Sequence, residues 1–395
     1  MKIAIVANDF RAYFPPRIRY FGEFLKKHNS SLVVIELFRE SICYQFSKDN
    51  FGDLPHYVLF EGRYHKVITM SEINLRLRQK LDEIQPDTII SDDVNFPAGA
   101  ESLHWTRHNR KGHVIFTDSR TDTFKKNAIV MMVKKSLLRG IDAVLCPAPA
   151  WDESLMKLGF RQEEIFYGLN SSDNEFWSQP VTKVDFADLP KDYFLHVGRH
   201  ITQKNLVQFS KAYKAYRNEG GRTPLVLVGE GYTHDDVLKE MAGVDSITFL
   251  SFQPREKLRQ IYNGARALFL PSYKQETWGM VVNEAMCCGR PIAISEQCGS
   301  ATTIVKEGVN GFIHSPDDIH AMTAIMKKID MLSAEEWQRM SDASRNIIQD
   351  WGLERFAQGA WDACRYAAGH HHRNLNPIDL IIRSIWNGRI ASDDL

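Results

Sequence analysis

Short apolar runs alternate with longer amphipathic segments along most of this chain, and this alternation restricts the fold more than any other feature. The runs are rich in β-branched residues and lack alternating polar positions, which indicates strands buried on both faces. Such strands form parallel sheets covered by helices, so we predict an α/β fold. Strands are expected at 2–7, 31–37, 88–91, 114–117, 143–146, 193–197, 224–228, 246–250, 267–270 and 291–295, with helices at 16–28, 71–84 and 124–138.

The chain is too long for one ordinary domain, and the alternation of apolar runs and amphipathic segments is interrupted once. Between Trp177 and Asp192 there are two prolines and no sustained period, which is typical of a linker. We predict two doubly wound, Rossmann-like domains at 1–178 and 191–369, joined by a linker at 179–190. A tail at 370–395 carries one further helix pattern, which we expect to pack back on the first domain.

Charge and hydropathy restrict the partners. The 49 basic and 49 acidic residues cancel, so no global field attracts nucleic acid, and any bound anion must be held locally. No run approaches the roughly 20 apolar residues of a membrane span, and the opening run is short for a signal peptide. We therefore expect a cytoplasmic protein whose membrane contact, if it has one, is peripheral and on the inner face.

The densest motif lies at 271–291, where a predicted strand ends and a helix begins. The loop carries Glu276, the helix starts near Gly279, and Glu284 lies roughly 7.5 Å further along the helix axis. The first turn of a helix offers N–H groups and a positive dipole end to a phosphate, and glycine allows close backbone approach. The pair of glutamates favours groups held on both sides of a bound phosphate; the alternative is two solvated carboxylates.

A second motif lies at 194–205, again after a predicted buried strand. It places Gly198 and Arg199 in the loop and Lys204 at the start of the next helix. The planar fork of an arginine and the point charge of a lysine suit a diphosphate, although each alone is compatible with an ordinary surface cation. Together, the two motifs predict an anion site in the second domain.

These stretches resemble the retaining GT-B glycosyltransferases of family 4, also called glycosyl transferases group 1. The G-R-x-x-x-x-K stretch of that family matches Gly198, Arg199 and Lys204, and its E-x7-E motif matches Glu276 and Glu284. The resemblance continues through 225–231, 267–272 and 307–312. It implies a GT-B fold, in which two Rossmann-like domains face a cleft.

The resemblance also implies roles for individual residues. Arg199 and Lys204 would bind the donor diphosphate, Glu276 the hydroxyls of the donor sugar, and Glu284 those of the ribose. Thr277 stands where the family has a glycine, a difference that bears on sugar choice. The implied donor-binding residues are completed by Gly198, Thr277, Trp278, Gly279 and Met280.

The implied activity is transfer of a sugar from a nucleotide diphosphate sugar, with UDP favoured, to a hydroxyl of a glycan or lipid-linked acceptor. Family resemblance implies retention at the anomeric carbon and no need for a metal or cofactor. A weak peripheral contact with a membrane is compatible with such an acceptor. Two alternatives stay open, a nucleotide-sugar epimerase of the same fold and a catalytically silent sugar-nucleotide-binding protein.

The first half resembles the family less closely. A histidine is common after the strand at 114–117, and Asp118 takes its place here, so we predict a catalytic role for Asp118 towards the acceptor. The first loop contains Arg11, Arg17 and Arg19 instead of glycines. A solvated helix start is the favoured interpretation of these arginines, and contact with a phosphate or acidic acceptor is the alternative.

Two other features have competing interpretations. The helix at 124–138 has several lysines and no acid, which is compatible with a membrane-surface face, although we favour an ordinary helix packed between strands. Asp92 and Asp93 form an acidic pair that suits either a metal or a turn at the end of a strand. We favour the turn.

Overall fold

The computed structural model describes residues 1–10, 13–38, 50–61, 68–123, 127–181, 189–273, 276–370 and 377–389. The chain divides into two compact units, Met1–Ser171 together with Leu353–Leu395, and Ser172–Gly352. Each unit is built on one parallel sheet with helices, so the predicted α/β class is confirmed. Among the described residues, no helix has both the length and the apolar character needed to cross a bilayer.

The first unit contains a seven-stranded sheet. Its strands are β1 (Lys2–Ala7), β2 (Ser31–Glu36), β3 (His56–Val58), β4 (Thr88–Ser91), β5 (Gly112–Phe116), β6 (Ala143–Cys146) and β7 (Ile165–Tyr167). The strand order is β3-β2-β1-β4-β5-β6-β7. Its helices are α1 (Phe14–Lys27), α2 (Met70–Ile84), α3 (Pro97–Asn109), α4 (Ala128–Leu138), α5 (Asp152–Leu158), α14 (Leu353–Gly369) and α15 (Pro377–Ile385).

The second unit contains a six-stranded sheet. Its strands are β8 (Tyr193–Val197), β9 (Leu225–Val228), β10 (Ile247–Leu250), β11 (Ala265–Leu270), β12 (Ile292–Ser295) and β13 (Gly311–His314). The strand order is β10-β9-β8-β11-β12-β13. Its helices are α6 (Asn174–Ser178), α7 (Leu206–Asn218), α8 (His234–Glu240), α9 (Arg255–Gly264), α10 (Met280–Cys287), α11 (Ala301–Ile304), α12 (Ile319–Asp330) and α13 (Ala334–Ile348).

Three strands were not predicted, and all three lie at sheet edges. β3 and β7 have only three residues each, and β3 is only half-buried along its whole length. The third, β13, forms one edge of the second sheet. A short edge strand is not covered on all sides, so its sequence lacks the continuous apolar run that identified the central strands.

The predicted second domain extends too far at its C-terminal end. Residues 353–369 form α14, which belongs to the first unit. Its apolar face joins the core of that unit, through Phe356, Ala357, Ala360, Ala363, Cys364 and Ala367. Small side chains let this helix approach the sheet closely, since a Cβ on Gly112 would lie 2.9 Å from the Ala367 carbonyl carbon.

Candidate active site

The strand order of the second unit reverses direction between β8 and β11. At such a switch point, the loops that leave the carboxyl ends of the two strands diverge and form a crevice. The two strands pair in parallel, so the residues after Val197 and after Leu270 reach the same edge of the sheet. The two predicted motifs therefore meet at the one position where an open α/β sheet binds ligands.

The loop after β8 lies against two glycines of the loop after β9. A Cβ on Gly229, whose φ is +131°, would lie 2.0 Å from the carbonyl oxygen of Gly198. A Cβ on Gly231 would lie 2.3 Å from the carbonyl oxygen of His200. The backbone on both sides of Arg199 is therefore held in place by contacts that only glycine permits.

Lys204 ends a single turn of 3₁₀ helix, Thr202–Lys204, before α7 begins. The next residue, Asn205, has a left-handed backbone with φ of 56°. Its side-chain amide donates to the carbonyl oxygens of Pro271 (3.2 Å) and Pro316 (2.7 Å). These hydrogen bonds fix the lysine relative to the loop after β11, which carries Glu276.

Lys204 and Glu276 form an ion pair. The lysine ammonium contacts Oε2 of Glu276, and the two side chains are only 13% and 11% exposed. The hydroxyl of Ser272 donates to the same oxygen over 3.2 Å. Sequence analysis gave the two residues separate roles, and the structure brings them into contact. Because an ammonium has three N–H donors, Lys204 can bond Glu276 and a phosphate oxygen together.

Helix α10 begins directly after Gly279. This glycine has a φ of +89°, and a Cβ there would lie 2.5 Å from the Cδ2 atom of Leu270. The backbone N–H of Gly299 donates to the carbonyl oxygen of Glu276 over 3.0 Å, which holds the preceding loop. Thr277 and Met280 are half-buried on either side of the turn. A Cβ on Gly279 would lie 3.7 Å from Cγ of Glu276, so the start of α10 lies beside the ion pair.

Two of the predicted donor-binding side chains, those of Trp278 and Glu284, are buried. The ring of Trp278 packs against Trp351, and its Nε1–H donates to Oδ1 of Asn283 over 2.8 Å. Any donor contact of Trp278 must therefore come from its backbone. Oε2 of Glu284 accepts a hydrogen bond from the Tyr262 hydroxyl at 2.6 Å, so a ribose bound by Glu284 would share this carboxylate with Tyr262.

Sequence analysis missed a pair of histidines, one in the loop after β8 and one at the start of α8. Nδ1 of His200 lies 2.8 Å from Nδ1 of His234, and the two rings stack. His234 also lines a cavity of about 440 Å³, together with Gly229, Glu230, Gly231, Phe249, Leu250 and Ser251. The pairing of these histidines depends on the neighbouring positions of β8 and β9, and no local pattern in the sequence indicates it.

Stability of the second unit should fall in acid because it buries neutral histidines. Burial lowers the pKa of His196 to about 3, and burial together with His234 lowers that of His200 to about 4. Both values lie below the unfolded pKa of about 6.5, so the stabilisation is complete above that pH and is lost as the pH falls towards 4. Urea unfolding followed by tryptophan fluorescence should show the loss.

The matched variants are His196→Asn and His320→Asn. Nδ1 of His196 donates to the carbonyl oxygen of Phe269 over 3.0 Å, and an asparagine amide can replace that donor without titrating. His196→Asn should reduce the acid-induced loss by an amount of the order of 2 kcal/mol. His320→Asn replaces an exposed histidine and is the control for the substitution itself. Equal pH dependence in parent and His196→Asn would contradict the assignment.

The first unit holds the residues predicted to face the acceptor. Asp118 follows β5, and its charge acts on Arg17, whose pKa burial lowers to about 10. Nε of Arg17 donates to the carbonyl oxygen of Ser171 over 2.8 Å, so the favoured interpretation of a solvated arginine is wrong for this residue. Arg19 donates to a backbone carbonyl, and Arg11 lies outside the described residues.

Asp93 forms the predicted turn at the end of a strand. One carboxylate oxygen accepts from the backbone N–H of Asn95 at 3.1 Å, and the other pairs with Lys134 at 2.9 Å. Its neighbour Asp92 is buried, which raises the pKa of that carboxyl well above its usual range. Within the described ranges, no three His, Cys, Asp or Glu side chains are grouped as metal ligands.

Comparison with solved structures identifies the fold. The chain is similar to a glycosyltransferase from Rickettsia africae ESF-5, with a TM-score of 0.73 and 12% identity over 92% of this chain and 98% of that one. It is also similar to Anabaena Alr3699/HepE, solved in complex with UDP, with a TM-score of 0.69 and 16% identity over 92% and 99%. The protein has the GT-B glycosyltransferase fold, as predicted.

Comparison of sequences agrees with this fold. Residues 182–347, which make up most of the second unit, match the family model for glycosyl transferases group 1. O-antigen chain mannosyltransferase B of Escherichia coli is 29% identical over 178 residues, which cover 44% of this chain and 43% of that protein. The match thus spans less than half of this relative's length.

Proposed function

We propose that the protein is a retaining glycosyltransferase that moves a sugar from a nucleotide diphosphate sugar to a hydroxyl of a glycan or lipid-linked acceptor. The proposal is carried by the meeting of the Arg199 loop with the Lys204–Glu276 ion pair at the switch point of the second sheet. A cationic site for the diphosphate and a carboxylate for sugar hydroxyls are thereby adjacent. The match of residues 182–347 to the family model for glycosyl transferases group 1 supports the same chemistry.

The cationic residues act on the leaving group. As the bond between the anomeric carbon and the diphosphate breaks, negative charge grows on the phosphate, and preorganised positive groups stabilise it. Arg199 can present two parallel donors, Lys204 adds a compact charge, and the first amides of α10 complete the site. Because these groups supply the positive charge, we expect transfer without a metal or cofactor.

The sugar, the ribose and the base of the donor bind to neighbouring residues. Glu276 holds sugar hydroxyls from its position beside Lys204, with Thr277 next to it. Glu284 receives the ribose through the carboxylate that it shares with Tyr262. The base enters the cavity that His234 lines.

The anomeric configuration is retained when the acceptor attacks the same face of the sugar from which the diphosphate departs. The acceptor oxygen forms its bond to the anomeric carbon on the side from which the diphosphate departs. The bond from that carbon to the phosphate oxygen breaks, and the acceptor proton moves to the departing phosphate. In the proposal, Asp118 of the first unit acts on the acceptor.

The choices of nucleotide and acceptor rest on similar proteins. A preference for UDP is supported by the complex of the Anabaena protein with UDP. A glycan acceptor is supported by the name of the Escherichia coli relative, an O-antigen chain mannosyltransferase. A lipid-linked glycan would further require a weak peripheral contact with a membrane.

The test is one incubation series with UDP-, GDP- and TDP-sugars, with and without a mixture of glycan acceptors and with excess EDTA. We expect a new glycoside only when acceptor is present, at an undiminished rate in EDTA. An α-linked donor should give an α-linked product, read from the anomeric proton coupling by NMR.

Each other result contradicts a part of the proposal. An altered donor sugar or free nucleotide formed equally without acceptor would indicate an epimerase. Nucleotide-sugar binding without turnover would indicate a silent binding protein. A β-linked product would exclude retention, and activity abolished by EDTA and restored by magnesium or manganese would exclude metal independence.

A further inference from the structure

Helix α15 has the opposite orientation to an ordinary amphipathic surface helix. Its buried residues are charged, Asp379 and Arg383. Four of its five aliphatic residues, Ile378, Leu380, Ile381 and Ile385, are 54% to 73% exposed, and the fifth, Ile382, is half-buried. In water, a surface helix normally packs its apolar face on the protein and exposes its charges.

Specific polar bonds hold the helix in this orientation. The Asp379 carboxylate accepts hydrogen bonds from the Ser136 hydroxyl (2.6 Å) and Nη1 of Arg139 (3.0 Å), both next to or on α4. Beyond the helix, Nε1 of Trp386 donates to the carbonyl oxygen of Val94 over 2.7 Å. The outward position of the isoleucines therefore follows from the inner contacts of α15.

Helix α4 contacts α15 and carries three further exposed apolar residues. Met132 lies one turn before Ser136 on the same face of α4, and thus beside α15. Of the fifteen exposed large apolar side chains among the described residues, seven lie on these two helices. We call them the α4–α15 face: Ile129, Val130, Met132, Ile378, Leu380, Ile381 and Ile385.

This concentration decides between the two interpretations of the helix at 124–138. Ile129, Val130 and Met132 are 47% to 70% exposed, whereas Leu137 and Leu138 are buried. The favoured interpretation of an ordinary packed helix therefore holds for the end of α4 and is wrong for its first turns. Single exposed apolar residues are common on soluble proteins, whereas a contiguous group marks an interaction surface.

The exposed charge beside the face is positive. Lys135 is exposed and the side chain of Arg139 is 50% exposed, while the single acid on the two helices, Asp379, is buried and paired with Arg139. Apolar side chains bordered by cations match an anionic bilayer, whose headgroups attract lysine and arginine and whose acyl boundary accepts isoleucine. We propose that the α4–α15 face binds the surface of an anionic phospholipid membrane.

A second copy of the chain fits this face less well. A symmetric dimer would place Lys135 of both copies beside one apolar contact, where like charges repel. The proposal deepens the proposed function. It rests on that function in one respect, because a lipid-linked acceptor is found at a membrane. Binding to lipid needs no donor sugar, so the two proposals can fail separately.

The experiment is co-sedimentation of the full chain with phosphatidylcholine vesicles that contain one third phosphatidylglycerol. The parent should bind these vesicles, and Ile381→Glu or Ile385→Glu should lower the partition coefficient roughly tenfold or more, since each removes one inserted isoleucine. Lys135→Gln should lower it about fivefold on anionic vesicles, since one basic residue near such a surface contributes about 1 kcal/mol, and should have no effect on pure phosphatidylcholine.

Met331→Glu is the matched control, because Met331 is a strongly exposed apolar residue of the second unit. This variant should bind vesicles as the parent does. Transfer to a water-soluble acceptor should be the same for all variants. The proposal is overturned if the parent does not bind anionic vesicles or if Ile381→Glu binds them as tightly as Met331→Glu does. It is also overturned if Ile381→Glu leaves vesicle binding unchanged and only lowers the molecular mass of the protein in sedimentation equilibrium, because the face would then join two copies of the chain.

Discussion

Replacing Lys204 by alanine should lower the rate of sugar transfer roughly 100- to 1000-fold, a loss of about 3–4 kcal/mol in transition-state stabilisation. The ammonium lies at the switch point with little exposure, where its charge is poorly screened. Arg199→Ala should approach the same loss. Because both charges act most strongly on the departing diphosphate, initial rates should fall further than the affinity for UDP measured by calorimetry.

The control must separate catalysis from folding, since Lys204→Ala leaves the Glu276 carboxylate without its lysine. The double variant Lys204→Met/Glu276→Gln removes both charges, so it should recover thermal stability and remain inactive. Glu276→Gln alone should impair transfer and leave UDP binding nearly unchanged, because its proposed partner is the sugar. Lys239, exposed on α8, is the matched lysine for an Ala substitution without effect.

Parental transfer rates in Lys204→Ala, Arg199→Ala and Glu276→Gln would place the active site elsewhere. A rate loss in Lys204→Ala that the double variant reverses would assign the lysine a structural role only.

Gly229→Ala should be nearly as damaging, although residue 229 contributes no side chain to the site. Its Cβ would lie 2.0 Å from the carbonyl oxygen of Gly198, a backbone atom of the loop that carries Arg199. The loop must move, and a displacement of about 1 Å can lower a rate on the order of 100-fold. Calorimetry with UDP and initial rates of transfer measure the effect.

Gly220→Ala is the matched control. Gly220 also has a positive φ, +90°, but no atom lies within 4 Å of its Cβ position. This variant should lose about 1–2 kcal/mol of stability from the left-handed backbone and keep its transfer rate. If Gly229→Ala and Gly220→Ala lose the same stability and both keep parental activity, the Arg199 loop does not depend on the close approach.

The sequence by itself determined the fold class and the central strands. A strand such as β1 or β6 is buried on both faces, so burial is recorded as a continuous apolar run that can be located without knowing its neighbours. Edge strands lack such a run, which explains why they were not predicted. Strands β3 and β7 are three-residue edges, whose pairing is set by the adjacent strand and leaves little trace in their own residues.

Much of the candidate site was also present in the sequence. The motifs with Arg199 and Glu276 each lie within one loop, and local spacing was enough to predict an anion site. Hydroxyl binding by Glu276 was implied by the family resemblance. Their roles in catalysis remain predictions. The ion pair between Lys204 and Glu276 was not predictable, because it arises only when β8 pairs with β11 across 72 residues of sequence.

Tertiary structure alone decided which surface each amphipathic segment meets. The small residues of α14 indicate a face that packs closely, but not that it packs in the first unit instead of the second. The isoleucines of α15 indicate a helix whose apolar side should be buried, yet the bonds of Asp379 to Ser136 and Arg139 turn that side outward. A hydrophobic pattern specifies that a face avoids water, whereas its partner is specified by contacts between residues far apart in the chain.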